Sequence, residues 1–483
     1  MMQQESMFSS DGRDIGALID GAWVTSSDSF GVLDKFTGEE IARVSQASAE
    51  QVSQAVEGAM RAMSESELAP FERAQVLSRT AELLATKRKR FSQILTAEGG
   101  FTLTDAEAEV DRAIVTLNLS AYEATRLTGE IVPFAASPGA HHRLGFTMRF
   151  PIGVVCAITP FNSPLNTVLH KIAPAYAAGN AVVLKPSAYT PLTASLLCET
   201  LLEAGMPPRF ISLVHGSGDT VGSYLLDNPS IAFYAFTGST GVGRIIQQAA
   251  GLRRTQMELG SIASTIVCKD TNLDRAIPKI ANASFRKAGQ VCTSVQRLYV
   301  DRKIADEVCD RLIEFTATLT AGDPRDPSVR IGPLITEEAA CRTQTWLNAA
   351  IGRGATLLCG GERDRSVVTP AIIKGVPEDT SIWCQEAFAP LVAIRPFDSF
   401  SEAIDSANST PYGLSVGVFT QDIDLGLRAA RTLRFGTVQL NEASSARADV
   451  MPFGGVKNSG FGKEGPAYAI REMTEERLIT FNP

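Results

Sequence analysis

The run Ala181-Val182-Val183-Leu184-Lys185-Pro186-Ser187 is a short apolar, β-branched strand pattern closed by a proline, and its neighbours decide the fold. After it, residues 192–204 carry apolar positions at helical spacing and stop at Ala204-Gly205, and a second β-branched run follows at 211–214. Before it come a strand pattern at 154–158 and a helical pattern at 166–178, which ends in Ala178-Gly179-Asn180; a further strand pattern lies at 231–236. The runs beginning at Val154, Ala181 and Ile211 start about 27–30 residues apart, the length of a βαβ unit. An α/β fold is expected, with a parallel, helix-covered sheet and a ligand crevice at the carboxyl ends of its strands.

A second alternating block runs from Ser264 to about Val438, with strands at 265–267, 297–300, 355–358, 391–396 and 416–419 and a long helix at 304–319. It reads as another α/β domain. Ahead of both blocks, the spacing predicts surface-packed helices over 49–63, 71–87 and 105–127. Residues 129–150, rich in Pro, Gly and His, read as a hairpin outside both sheets that can form an intersubunit edge with 477–481.

The chain has 483 residues, 44% of them hydrophobic and 20% charged, an ordinary globular balance and not that of a disordered or collagen-like chain. Its formal net charge of −8 opposes nucleic-acid and anionic-lipid partners. Residues 1–20 lack the basic start and apolar run of a secretory signal, and no stretch is apolar enough to span a membrane. The eight cysteines are widely spaced without a C-x-x-C pair, and none of the four histidines falls in H-E-x-x-H. No metal site is expected, and a reducing cytoplasm suits the thiols.

Phe236-Thr237-Gly238-Ser239-Thr240-Gly241-Val242-Gly243 joins a strand to the helix expected at 244–250, so backbone N–H groups and a helix N-terminus converge on a phosphate-sized space. The same segment can equally be a tight turn without a ligand. Cys292, in Ala288-Gly289-Gln290-Val291-Cys292-Thr293-Ser294, sits among small residues that suit an accessible turn. Glu258, in Met257-Glu258-Leu259-Gly260, closes a strand-like run. Spacing alone leaves an inert thiol and a solvated acid open.

These segments together resemble the aldehyde dehydrogenase superfamily. The resemblance rests on Pro160-Phe161-Asn162, Leu184-Lys185-Pro186-Ser187, Phe236 to Gly243, Glu258-Leu259-Gly260, Gly289 to Cys292, Gln385-Glu386-Ala387-Phe388, and Pro452-Phe453-Gly454-Gly455-Val456-Lys457-Asn458-Ser459-Gly460, in the family's order across almost the whole chain. It implies a Rossmann-like nicotinamide-binding domain (1–128 and 150–258), a related catalytic domain (259–440) and a small β oligomerisation element (129–149 and 466–483), assembled as homodimers or homotetramers. It further implies that the Cys292 thiolate attacks an aldehyde, that the Asn162 amide and the Cys292 N–H hold the resulting oxyanion, and that Glu258 activates the water that hydrolyses the thioester. Coenzyme-A-acylating members generally lack that acid, so hydrolysis is expected. Retention of Cys292, Glu258 and Asn162 opposes a non-catalytic binding protein, and a cysteine hydrolase would want a histidine near the thiol.

The cofactor implied is NAD or NADP. The positions matching its site are Ile158, Thr159, Pro160, Phe161, Lys185, Ser187, Ala188, Gly218, Phe236, Thr237, Gly238, Ser239, Val242, Leu259 and Gly260, with Glu386 on the nicotinamide ribose and Phe388 beside the ring. NAD-preferring members commonly carry a glutamate where this chain has Ala188, so a 2′-phosphate meets no repulsion there and NADP use is allowed. Ala389 replaces a usual glycine. Pro164-Leu165-Asn166 with His170, and the pattern Arg447-Ala448-Asp449-Val450-Met451-Pro452, resemble the subgroup acting on lactaldehyde and phosphonoacetaldehyde. Arg447 is the expected anion clamp, with His170, Val291, Thr293 and Phe453 as further substrate contacts. Relatives that bind phosphonate carry a second arginine where Val291 stands, and the bland reading of Arg447 is an ion pair with Asp449. A small polar or anionic aldehyde is expected; an aromatic aldehyde or a semialdehyde is the alternative.

Overall fold

The computed structural model describes residues 14–482, so the opening residues of the signal-peptide reading and of the first domain, and the last residue of the third, lie outside it. Five parallel strands form the centre of an eight-stranded sheet in the order Arg254–Glu258, Ile231–Thr237, Val154–Ile158, Val182–Lys185, Ile211–Leu213. Antiparallel strands finish both edges: Gly460–Phe461 beside Arg254–Glu258, and Ala17–Ile19 with Ala22–Val24 beyond Ile211–Leu213. Register sets Ile158 against both Lys185 and Phe236, and Thr237 against Glu258, so the carboxyl ends form one row.

The crossover helices Asn166–Ala177 and Pro191–Glu203 cover this sheet. Every residue of Asn166–Ala177 is buried, because the helices Pro70–Thr86, Leu103–Ala124 and Pro466–Glu472 enclose the faces the sheet leaves open. Asn180 closes the turn after it: its amide donates to the Met473 carbonyl at 2.8 Å and accepts from the Gly153 N–H at 3.1 Å, which ties two crossings of the chain to one side chain.

The second sheet has seven strands in the order Thr356–Cys359, Ala371–Lys374, Leu391–Phe397, Val295–Asp301, Ala263–Val267, Ser415–Phe419, Thr437–Leu440, parallel except for the first pair. Each large sheet has its own buried apolar cluster.

Three expectations change. The segment 129–150 is not a self-contained hairpin: Ile131 makes a single bridge to Phe146, and the strand Leu144–Pro151 pairs along its length with Thr474–Phe481. Within 466–483, Pro466–Glu472 is a helix packed on Leu103–Ala124 and Asn166–Ala177, and only Thr474–Phe481 joins the paired strands. The N-terminal region also opens with short strands, and Glu40–Ser45 pairs with both Asp14–Ile15 and Ser29–Leu33. These are too short for alternation to be read. No described helix is long and apolar enough to cross a membrane.

Candidate active site

A cavity of about 530 Å³ lies along the carboxyl ends of the first sheet, facing the loop that leads into the strand Val295–Asp301 of the second. It brings together Cys292, Glu258 and Asn162, from segments far apart in sequence.

The loop carrying Cys292 is conformationally costly. Lys287 and Ala288 sit at φ 53° and 52°, the left-handed region, and Gly289 follows at 69°. A Cβ on Gly289 would collide with the Ala389 carbonyl, so glycine is required there. Hydrogen bonds hold the loop: the Lys287 N–H donates to Asp105 Oδ2 at 3.2 Å, the Ser294 hydroxyl to the Ser284 carbonyl at 2.9 Å, and the Ser444 hydroxyl to the Thr293 carbonyl at 2.9 Å. Cys292 remains partly exposed to the cavity.

Glu258 ends the strand Arg254–Glu258, is buried, and its Oε1 has no hydrogen-bond partner. Burial, and then the nearby Glu464 charge, push its carboxyl up to about 7. Burial and the adjoining Glu258 carboxylate hold the Cys292 thiol well above its ordinary range. The pair therefore rests as a thiol beside an acid poised near neutrality, with the proton on the sulfur. The Asn162 amide donates to the Gln290 carbonyl at 2.7 Å, which leaves its second N–H for the cavity.

At the other end, Ser239 caps the helix Thr240–Ala250 by accepting from the Val242 N–H, and the N–H groups of its first turn have no intrahelical acceptor. Lys185 is buried with no carboxylate partner among the described residues; it donates to the Pro186 carbonyl at 3.5 Å, and burial pushes its ammonium down to about 8. The buried Thr159 hydroxyl is likewise without a partner. Glu386 accepts from the Ser261 N–H at 3.0 Å and is pushed up to about 7 by burial. Phe388, at φ 51°, stacks edge-on against Phe161 with centroids 5.8 Å apart. An unpaired cation, an orphaned hydroxyl, a free helix N-terminus and an aromatic wall in one cavity fit a nicotinamide dinucleotide.

The remaining sequence-predicted residues divide. Pro160, Ser187, Ala188, Gly218, Phe236, Thr237, Gly238, Val242, Leu259 and Gly260 line the cavity, as do Val291, Thr293, Phe453 and Arg447. Ile158 and His170 do not. Ile158 packs against the core of the first sheet. His170 is fully buried, with Nε2 2.9 Å from Asp449 Oδ1, because its helix has no solvent-facing side. Arg447 pairs with Glu464 at 2.8 Å and lies over the Phe453 ring, while Asp449 takes Arg112 instead. Arg447 Nε keeps no partner. Sequence reading missed Arg112, Arg286 and Lys287 in the wall; Arg286-Lys287 beside the nucleophile motif was the available signal, and Arg112 gave none.

Residues 23–479 match the family model described as the aldehyde dehydrogenase family. The chain belongs to the aldehyde dehydrogenase family. It is thus an aldehyde-oxidising enzyme that uses NAD or NADP. It is 43% identical over 470 residues to a 3-sulfolactaldehyde dehydrogenase of Priestia aryabhattai, covering 97% of this chain and 98% of that protein. Among solved structures, aldehyde dehydrogenase 21 of Physcomitrella patens, in complex with its product succinate, superposes with a TM-score of 0.95 at 33% identity, covering 97% of this chain and 98% of the other. The glyceraldehyde-3-phosphate dehydrogenase of Methanocaldococcus jannaschii, complexed with NADP, gives 0.91 at 36%, covering 95% and 100%. Dehydrogenases of this family therefore share the whole fold, both sheets included.

Proposed function

We propose that this aldehyde dehydrogenase oxidises a small aldehyde carrying an anionic group, of the sulfolactaldehyde kind, to the carboxylic acid through a thioester on Cys292. The observation that carries the reading is Arg447, a partly exposed arginine lining the same cavity as the thiol. The sulfolactaldehyde relative points the same way.

Glu258 takes the Cys292 proton, and the sulfur adds to the aldehyde carbon. The free Asn162 N–H and the Cys292 backbone N–H receive the oxygen as it becomes anionic; one such donor is typically worth about 3–4 kcal/mol. The carbon attached to Cys292 would lose hydride to the nicotinamide that a bound NAD or NADP would supply, leaving the thioester. Once the Cys292 proton has passed to solvent, the Glu258 carboxylate removes a proton from water attacking the thioester; the C–S bond breaks, the acid leaves, and the Cys292 sulfur is released for another turnover. Lys185, Ser187 and Ala188 would hold the adenosine ribose, the first turn of Thr240–Ala250 the pyrophosphate, and Glu386 and Phe388 the nicotinamide riboside. The absence of a carboxylate at Ala188 supports NADP at least as well as NAD. The paired strands Leu144–Pro151 and Thr474–Phe481 expose Leu144, Leu478 and Phe481, which supports self-association through this arm.

Reduced-cofactor absorbance with sulfolactaldehyde, lactaldehyde, succinic semialdehyde and benzaldehyde, each with NAD and NADP, tests the reading. The highest kcat/KM is expected for the sulfonate. Benzaldehyde turned over as efficiently as sulfolactaldehyde overturns the anionic substrate, and no cofactor reduction with any aldehyde overturns the reaction.

A further inference from the structure

The oxyanion site of the proposed reaction is assembled from two loops of different sheets. Asn162 lies between the strand Val154–Ile158 and the helix Asn166–Ala177, whereas the Cys292 N–H belongs to the left-handed loop before Val295–Asp301. Two donors on separate supports point at one oxygen only if something fixes the distance between the supports.

The Asn162 amide reaches the Gln290 carbonyl of that loop directly, and a buried ion pair braces the two supports behind it. Lys287 Nζ contacts Glu109 Oε2 at 2.7 Å, and both side chains are nearly inaccessible. The same ammonium donates to the Asn162 main-chain carbonyl at 3.0 Å. Glu109 Oε1 in turn accepts from the Ser163 hydroxyl at 2.6 Å and from the Asn166 N–H at 2.9 Å. A single acid–base pair thus grips the Asn162 loop at three points, Asn162, Ser163 and Asn166. Its lysine end is itself part of the nucleophile loop.

The pair is rigidly mounted. Glu109 and Asp105 stand one turn apart on the helix Leu103–Ala124, whose start is capped by Thr102. Asp105 holds the Lys287 backbone N–H while Glu109 holds its side chain. Burial opposes ionisation of Glu109, but Lys287 and Ser163 hold its carboxyl below the ordinary range, so the pair stays charged. Lys287 pays the left-handed backbone cost that glycine would avoid, and a glycine there would have no ammonium to reach Glu109.

We infer that Lys287 and Glu109 are positioning residues that set the spacing between the Asn162 amide and the Cys292 backbone N–H, and so determine oxyanion stabilisation without touching the substrate carbon. The inference rests on Cys292 being the nucleophile, as proposed above.

Lys287→Met keeps the chain length and the left-handed backbone requirement while removing the ammonium. At saturating aldehyde, its single-turnover rate of cofactor reduction should fall about 100-fold, and so should its hydrolysis of p-nitrophenyl acetate, which also passes through an oxyanion. The aldehyde KM should stay within about three-fold, as for an interaction made mainly in the transition state. Alkylation of Cys292 by iodoacetamide, followed on the Cys292 peptide by mass spectrometry, forms no oxyanion and should also stay within about three-fold. Lys287→Arg should recover most of the rate. A Lys287→Met rate within about three-fold of wild type, or alkylation that falls in step with turnover, overturns the inference.

Glu109→Gln retains an acceptor for Ser163 and Asn166 and removes only the charge, so it reports even where Lys287→Met fails to fold. It should lose about ten-fold in the same two rates, and unchanged rates overturn the inference. Cys292→Ala separates the two readings: cofactor reduction by that variant refutes the nucleophile, whereas an inactive Cys292→Ala with a fully active Lys287→Met refutes only the positioning role.

Discussion

Two kinds of buried acid lie in and behind the cavity wall. Glu464, Asp449 and Glu109, behind it, are each closed by partners: Lys171 and Arg447 on the first, Arg112 and a hydrogen bond with His170 on the second, Lys287 on the third. Despite burial, these partners keep all three carboxyls below their ordinary range. Glu258 and Glu386 have no such partner, and burial lifts both to about 7. Acids that only hold geometry are locked as anions, whereas those facing the reacting groups remain free to change protonation near neutral pH. The same contrast governs the cations, since Arg112 is closed by a carboxylate and Lys185 is left for a ligand.

The contrast breaks most visibly at Glu258. Glu258→Gln should lower kcat by roughly 10²–10⁴-fold, the usual contribution of a general base. The carboxylate is the active form, so the wild-type rate should rise with pH through about 7 and level above it. In the variant that limb should vanish from the pH–rate profile. A limb that survives unchanged assigns the titration to another group.

Arg447 sharpens the paired side. Its bond to Glu464 neutralises part of its charge, yet the side chain lines the cavity and is 14% exposed, so it can still meet an anion. Arg447→Ala should raise KM for sulfolactaldehyde by about 10–100-fold, as for a lost charge-assisted hydrogen bond, and change KM for benzaldehyde far less. Equal effects on both substrates make Arg447 a purely structural partner of Glu464.

At the cofactor end the test closes what the chain leaves open. Ala188→Glu places a carboxylate near Lys185, where it can accept from ribose hydroxyls and repel a 2′-phosphate. The kcat/KM ratio should shift toward NAD by about ten-fold or more. No shift means that residue 188 does not face the adenosine ribose.

What the sequence made legible follows from how local each signal is. The strands from Val154 to Thr237 and the helices between them were readable because each is fixed by its own periodicity and by nearby glycines. Cys292, Glu258 and Asn162 were reachable only as a set, through motifs whose order carries the resemblance. The wall of the cavity was not readable. Lys287 and Glu109 meet across two loops and a helix, and nothing local marks either as the other's partner. His170 misled for a related reason: a polar residue at helical spacing suggests an exposed face, but Asn166–Ala177 is buried all round and its polar groups turn inward to Asp449 and Glu464. Pairing of Leu144–Pro151 with Thr474–Phe481 was anticipated as an edge shared by 129–150 and 477–481, but the hairpin reading hid that the two strands pair along their whole length.

The smallest effect tests the same contrast through stability. A buried acid whose folded pKa is raised contributes stability that is fully present below its unfolded value, about 4.3, and is lost as pH rises through the folded value. For Glu258 that window runs up to about 7, and at higher pH the folded enzyme carries an unpaired buried charge. Glutamine has the same shape and no charge to bury. Glu258→Gln should therefore be more stable than wild type at about pH 8.5, by about 1–3 kcal/mol, and indistinguishable from it near pH 4. The closed acids have the opposite sign: the stability that Asp449 gains from Arg112 and His170 is present above the ordinary aspartate pKa and lost as pH falls through the lowered one. Thermal unfolding of wild type and Glu258→Gln across this range reads the difference directly. Curves that run parallel at every pH would mean that Glu258 is solvated like a surface acid, and the division between locked and free carboxyls would then fail at the residue on which the chemistry depends.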